Sequence, residues 1–159
     1  MPLPPRLVDS RPDLDRLWRV LGEPNVVPGW ATVELDRAEA ERAPTAVASG
    51  AERRTEDAPD DELLGARCRL VTRDSHPIEV LLEPSTEGRL AASLARFGEG
   101  PAAAYLLAGP EAVDLARRAG SVLSAGGRGP LGRQRLVVSG PRWGPHVILV
   151  MEPRATIGR

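Results

Sequence analysis

The chain has 159 residues, 42% of them hydrophobic, which is enough to bury one core in a single domain or in two small modules that share it. Its 21 basic and 22 acidic residues are interspersed and sum to a formal charge of -1, so there is no electrostatic footprint for nucleic acid or for an anionic membrane. Every basic residue is an arginine, which excludes Schiff-base chemistry and a lysine base, and Cys68 is the only cysteine, which excludes an intrachain disulfide and a multi-cysteine metal cage.

Met1 to Arg6 is rich in proline and has neither the cationic start nor the apolar run of an export signal. No stretch approaches the roughly 18 uninterrupted apolar residues of a membrane span, so a cytoplasmic protein with no membrane partner is expected. In an N-terminal extension, residues 1–29, Leu14, Leu17, Trp18 and Leu21 share one helical face and Gly22 ends the run. Such a helix covers a sheet or a partner subunit. A first module, residues 30–84, opens with the apolar run Trp30 to Leu35 and an acidic helical segment from Asp36 to Arg42. Glu52 to Glu62 is charged and poor in apolar residues and reads as a loop around a short second strand. Leu70-Val71-Thr72 and Val80-Leu81-Leu82 are short branched runs bounded by turn residues, as buried strands are, and Cys68 in the same region reads as a buried apolar residue.

Residues 85–101 form a linker in which Ser85 or Thr86 caps a helix with Leu90, Leu94 and Phe97 on one face before Gly98. The second module, residues 102–153, repeats the order with an apolar run Ala102 to Leu107, then a helix begun by Pro110 and ended by Gly120. The strands Leu136-Val137-Val138 and Val147 to Met151 follow, and residues 154–159 are a tail.

Self-similarity fixes this architecture. The run from Leu64 to Val71 matches the run from Leu131 to Val137 with one residue deleted, and each continues to an apolar strand that closes in Glu-Pro, at Glu83-Pro84 and Glu152-Pro153. The offsets between copies are 67 from Gly65 to Gly132, 69 from Glu83 to Glu152 and 72 from Glu39 to Glu111, a drift that short loop insertions produce.

The segment from Ile78 to Pro101, with its Ile-Glu-Val-Leu-Leu-Glu-Pro strand, helix and Gly-Glu-Gly turn, resembles the module junction of methylmalonyl-CoA epimerases and related members of the glyoxalase/bleomycin-resistance (vicinal oxygen chelate) superfamily. The closing run Val147 to Pro153 is similar to that family's final strand, and the resemblance covers Trp30 to Pro153. It implies an α+β fold in which two βαβββ modules pair so that their sheets form a cup around the active site. The family's chemistry uses a divalent metal held by His near the start of each module's first strand and Glu or Gln on each last strand. Carried over, those positions fall at Trp30, Ala102 and Leu149, none of which donates to a metal, and at Val80, or Glu79 if the strand carries a bulge. One carboxylate does not hold the ion, so no metal and no other cofactor is expected. His76 and His146 sit beside prolines at matching places in the two copies and read as turn or strand-end residues.

The resemblance then places Trp30, Thr32 and Glu34 on one wall of the cup, Ala102, Ala104 and Leu106 on a second, and Val147, Leu149 and Met151 on a third. That lining is apolar, which describes both a small-molecule site and a filled core. If Cys68 and Leu70 face the helix, Arg67 and Arg69 turn the other way and Arg133 and Arg135 repeat the pattern, either toward a carboxylate or phosphate ligand or at an exposed sheet margin. Trp143 stacks on a planar ligand or anchors its loop. Glu34 is the candidate base if an enzyme is present. Three functions follow: a metal-independent binder of a small organic molecule, as the bleomycin-resistance members are; an isomerase, epimerase or lyase acting on a carboxylate or acyl thioester; or an interaction module. A homodimer, with modules pairing across two chains, stays open.

Overall fold

The computed structural model describes residues 12–43 and 53–153. Helix α1 (Pro12–Val20) precedes β1 (Asn25–Ala31), α2 (Leu35–Arg42), β2 (Arg53–Asp61), β3 (Ala66–Arg73) and β4 (His76–Pro84). Helix α3 (Arg89–Phe97) then leads to β5 (Gly100–Leu107), α4 (Ala112–Arg118), β6 (Gly127–Gly129), β7 (Gly132–Leu136) and β8 (His146–Pro153). All eight strands form one mixed sheet in the order β2-β3-β4-β1-β5-β8-β7-β6. The central pair β1 and β5 is antiparallel, while β1 runs parallel to β4 and β5 parallel to β8, so the two halves of the sheet repeat one pattern about its centre. No helix among the described residues is long and apolar enough to cross a membrane.

The repeat holds at the level of register. Cys68 pairs with Leu82 and Leu70 with Val80, and in the second half Gln134 pairs with Val150 and Leu136 with Ile148. Leu70 and Leu136 are therefore equivalent, whereas the counterpart of Leu82 is Val150 and not Met151. A bulge between Arg133 and Gln134 leaves Met151 unpaired between Val150 and Glu152, and counting back from the Glu-Pro closure misses that residue. Three other local expectations give way to the structure. The charged segment expected as a loop around a short second strand is β2 almost throughout, a full edge strand paired with β3 from Arg53 to Ala58, because an edge strand tolerates charge on the side that faces solvent. β1 begins at Asn25, ahead of Trp30. Helix α3 is capped by Gly88 with no side-chain hydrogen bond, and Phe97 at its end is 63% exposed.

The sheet is strongly curled. In a flat sheet β2 and β5 would stand about 19 Å apart, four steps of ~4.8 Å. Instead the Tyr105 hydroxyl on β5 donates to Asp61 Oδ2 at the end of β2 at 2.7 Å, and Gln134 Nε2 on β7 donates to Asp61 Oδ1 at 2.9 Å. The two edges also meet, since the Glu62 N–H donates to the Arg128 carbonyl at 3.0 Å and the Arg128 N–H to the Glu62 carboxylate at 2.9 Å. Gly29 on β1 makes the approach possible at the centre, because a Cβ there would lie 2.9 Å from both Ala103 Cβ and Leu82 Cδ1 and 3.3 Å from the Tyr105 ring.

Curling divides the apolar residues into three clusters. Inside the curl, Val27, Cys68, Leu70, Val80, Leu82, Tyr105, Leu136, Ile148 and Val150 pack with Leu64, Leu90 and Leu131. On the outside, Leu14, Leu17 and Trp18 of α1 with Leu21 just after it, and Ala112 and Ala116 of α4, cover Val26, Ala104, Leu106, Val147 and Leu149. Leu35 and Ala38 of α2 cover Val71 and Leu81. The amphipathic N-terminal helix thus lies over the sheet of its own chain.

Candidate small-molecule site

The interior of the curl is filled by side chains. Tyr105 and Gln134 are 0% exposed and Asp61 is 1% exposed, and the first two meet inside the curl on the Asp61 carboxylate. Asp61 accepts four hydrogen bonds, from Tyr105, from Gln134 and from the backbone N–H groups of Leu63 and Leu64 at 3.0 and 2.9 Å. Burial nevertheless pushes its carboxyl above the ordinary carboxylate range, with those donors pulling the other way. Burial, followed by the Asp61 charge, drives the Tyr105 hydroxyl well above the usual phenol range and keeps it a donor.

A divalent metal of the kind the resemblance implies does not fit this donor set. Both Asp61 oxygens are engaged by protein donors, and burial raises the Cys68 thiol so far that it stays protonated. Gln134 Oε1 is buried without a partner, but no three of His, Cys, Asp and Glu gather among the described residues. Of the carried-over ligand positions, Val80 lies in the interior cluster and Glu79 is held outside it by Arg42, whose Nε and guanidinium nitrogen donate at 2.7 and 2.8 Å.

The opening lies at the end of the sheet where β5 and β8 begin. A cavity of about 620 Å³ there is lined by Trp30, Ser93, Phe97, Glu99, Ala102 and Pro145 among others. Three elements build it: the last residues of β1, the C-terminus of α3 with its Gly98-Glu99-Gly100 turn, and the loop before β8, where the Gly144-Pro145 peptide is cis. The Arg42 guanidinium stacks 3.4 Å from the centroid of Trp30 while pairing with Glu79, so the indole is fixed from one side. Glu99 accepts from the Thr32 hydroxyl, from the Val33 N–H at 3.0 Å and from Arg37 at 2.7 Å. These hydrogen bonds, the one from Thr32 foremost, hold its carboxyl at about 2. Just past Pro145, His146 is 3% exposed with Nε2 unpartnered, and burial, then the charge of Arg89, lowers it from 6.5 to about 4.

The residues expected to line a single cup are dispersed. Trp30 and Ala102 do line this cavity, and Thr32 is buried behind it on Glu99. Ala104, Leu106, Val147 and Leu149 lie on the opposite face beneath α1 and α4, and a register shift between Gly29 and Trp30 skips Ala102 on β5 and puts it out of step with Ala104 and Leu106. Trp30, Ala102 and Leu149 therefore do not converge on one cavity. Glu34 stands exposed at the start of α2, out of the apolar surroundings expected for a base. Arg69 points to the outer face, where it pairs with Asp36 and Glu39 at 2.7 Å each and has no charge left for a ligand. Arg135 and Met151 line a separate cleft at the far end of β8. Trp143 adjoins the cavity loop, with the Arg96 and Arg142 guanidiniums 5.0 and 4.8 Å from its ring centroid. Sequence reasoning missed Ser93, Phe97, Glu99 and Pro145. The Gly98-Glu99-Gly100 turn and the double proline loop around Trp143 are the signals that mark them.

No family model and no curated protein matches the sequence. Solved structures do match in fold. A crystal structure of methylmalonyl-CoA epimerase from Mycobacterium tuberculosis superposes with a TM-score of 0.60 at 19% identity, covering 83% of this chain and 89% of that one. The crystal structure of hypothetical protein BH1468 from Bacillus halodurans C-125 gives 0.59 at 14% identity, covering 82% of this chain and 95% of that one. At these identities the likeness is one of fold, and the fold is the glyoxalase-like α+β arrangement that the resemblance of Trp30 to Pro153 implies.

Proposed function

We propose that this protein binds a small organic molecule, without a metal, in the cavity between Trp30, Phe97 and Pro145. The observation that carries the reading is that cavity: about 620 Å³ falls within the ~300–1,000 Å³ range of small-molecule sites, and its walls are mostly apolar around a fixed indole. Binding is favoured over turnover by the state of Glu99. Proton transfer is best served by a base whose pKa lies near the operating pH, and the carboxylate lining the cavity is held well below it by Thr32, Arg37 and Val33, which makes it a weak base. An epimerase-like activity, which the name of one structural neighbour suggests, would have to find its base elsewhere.

The test is a fragment screen read by the Trp30 indole N–H resonance in the presence of a chelator. Fragments are expected to perturb Trp30 and to lose affinity by about tenfold or more in Trp30→Ala. If no fragment moves Trp30, or if every binder disappears with the chelator, the proposal fails.

A further inference from the structure

The chain carries five aromatic residues, three Trp, one Tyr and one Phe. Trp18 and Tyr105 are buried in the two large apolar clusters, and the other three gather at one opening. Trp30 and Phe97 line the cavity there, and Trp143 stands in the loop whose next two residues, Gly144 and Pro145, line it as well. One guanidinium, that of Arg96, lies 5.9 Å from the centroid of Phe97 and 5.0 Å from that of Trp143, so the two rings are neighbours. Phe97 at 63% and Val33 at 61% are the most exposed large apolar side chains among the described residues. Both flank Glu99, Phe97 from two residues earlier in the chain and Val33 by donating its N–H to the carboxylate at 3.0 Å.

All three rings already carry a cation. The Arg42 guanidinium is 3.4 Å from the centroid of Trp30, Arg142 is 4.8 Å from that of Trp143, and Arg96 adjoins both Phe97 and Trp143. An aromatic cage holds a cation through its negative π faces, and guanidiniums already placed on those rings oppose a further positive charge. The polar feature of the opening is an acceptor. Glu99 Oε2 receives Thr32, Val33 and Arg37, whereas Oε1 receives Arg37 alone among the described residues. A carboxylate oxygen has two lone pairs, so Oε1 keeps one for another donor. The Glu99 side chain is 31% exposed and lines the cavity. The hydrogen bonds that hold its carboxyl at about 2 also keep it an ionised acceptor at neutral pH.

We infer that the molecule taken by the Trp30 cavity is a flat aromatic one with an uncharged N–H or O–H donor on its edge, as in an indole or a phenol, its ring against Trp30 and Phe97 and its donor on Glu99 Oε1. The inference rests on the proposal that this cavity binds a small organic molecule, and it adds the ligand's class. A ring against the two aromatic walls gains apolar contact and stacking, and a donor meeting an ionised carboxylate makes the stronger, charge-assisted kind of hydrogen bond. Glu99 thereby acts as a specificity-determining acceptor: it selects ligands that bring a donor and takes no proton from them.

The experiment titrates the whole chain with 3-methylindole and with 1-methylindole, isomers of one size and shape class of which only the first has an N–H. Phenyltrimethylammonium serves as the cationic arm. Binding is read from the amide resonances of Gly98 and Gly100 and the indole N–H of Trp30. All three are expected to shift saturably with 3-methylindole, which should bind about tenfold more tightly than 1-methylindole. The cation should bind more weakly than 3-methylindole. Phe97→Ala, at an exposed position where the fold has little to lose, should weaken 3-methylindole by about threefold or more. The isomer comparison needs no variant at Glu99, whose contacts to Thr32 and Val33 also hold the turn after β1. Equal affinity for the two isomers, a preference for the cation, or binding indifferent to Phe97→Ala would overturn the inference. If neither isomer binds while non-aromatic fragments still move Trp30, the ligand class falls and the binding proposal stands; if nothing moves Trp30, both fall.

Discussion

Removing one oxygen tests whether the interior of the curl is held by the bridge from Tyr105 to Asp61. Tyr105→Phe keeps the ring and its packing but takes away the donor at 2.7 Å from Asp61 Oδ2, the only hydrogen bond that oxygen accepts among the described residues. Asp61 is 1% exposed, so water does not replace the lost partner. A hydrogen bond to a charged group contributes about 1.5–3 kcal/mol, and that is the expected loss of unfolding free energy. At roughly 2–4 °C per kcal/mol for a domain of this size, the melting temperature should fall by about 3–12 °C. Urea titration at constant slope gives the free energy directly. The loss should be larger in alkaline than in mildly acidic buffer, because the raised Asp61 carboxyl is neutral below its own pKa and charged above it. It should also shrink in an Asp61→Asn background, since the two groups are coupled. A Tyr105→Phe variant within about 0.5 kcal/mol of the parent at every pH would refute the bridge as a stabilising contact.

Two further outcomes follow from the same face of the sheet. His146 is lowered from 6.5 to about 4 by burial, so the unfolded chain binds the extra proton in that window and stability must fall as pH drops from 6.5 toward 4, by about 3 kcal/mol in all. His146→Gln should flatten the acid limb of the stability curve there, and an unchanged limb would show that the imidazole is not neutral in the fold. Gly29→Ala places a methyl 2.9 Å from Ala103 Cβ and Leu82 Cδ1, between two central strands that have no room to part. A loss of about 1–3 kcal/mol is expected from thermal unfolding, and a neutral substitution would mean that the central strands are less tightly apposed than described.

How much of this was legible in the sequence depends on whether the signal was local. The order of elements was readable because the Leu-Gly run and the Glu-Pro closure recur, and the face of α1 was readable because Leu14, Leu17, Trp18 and Leu21 follow helical spacing and are all buried. The length of strand β2 was not, since an edge strand half in solvent carries no apolar run and only a short strand within a loop was legible there. The lining of the cavity was misassigned for a different reason. Strict alternation puts Ala102, Ala104 and Leu106 on one wall, but a single-residue shift beside Gly29 puts Ala102 out of step with the other two, a shift beside Gln134 does the same to Met151, and alternation alone does not say which face of a strand the helices cover. The pairing of Tyr105 with Asp61 was beyond reach altogether, because it joins strands that are four places apart in the sheet and exists only once the sheet has curled.

The central claim, a glyoxalase-like fold that binds a small molecule without a metal, is tested most directly by elemental analysis and native mass spectrometry on the same purified sample, with and without chelator. The account predicts metal far below one equivalent per chain and a small-molecule adduct that persists through chelation and is lost in Trp30→Ala. One equivalent of zinc, nickel, cobalt or manganese per chain, with an adduct that leaves when the metal is removed, would contradict it.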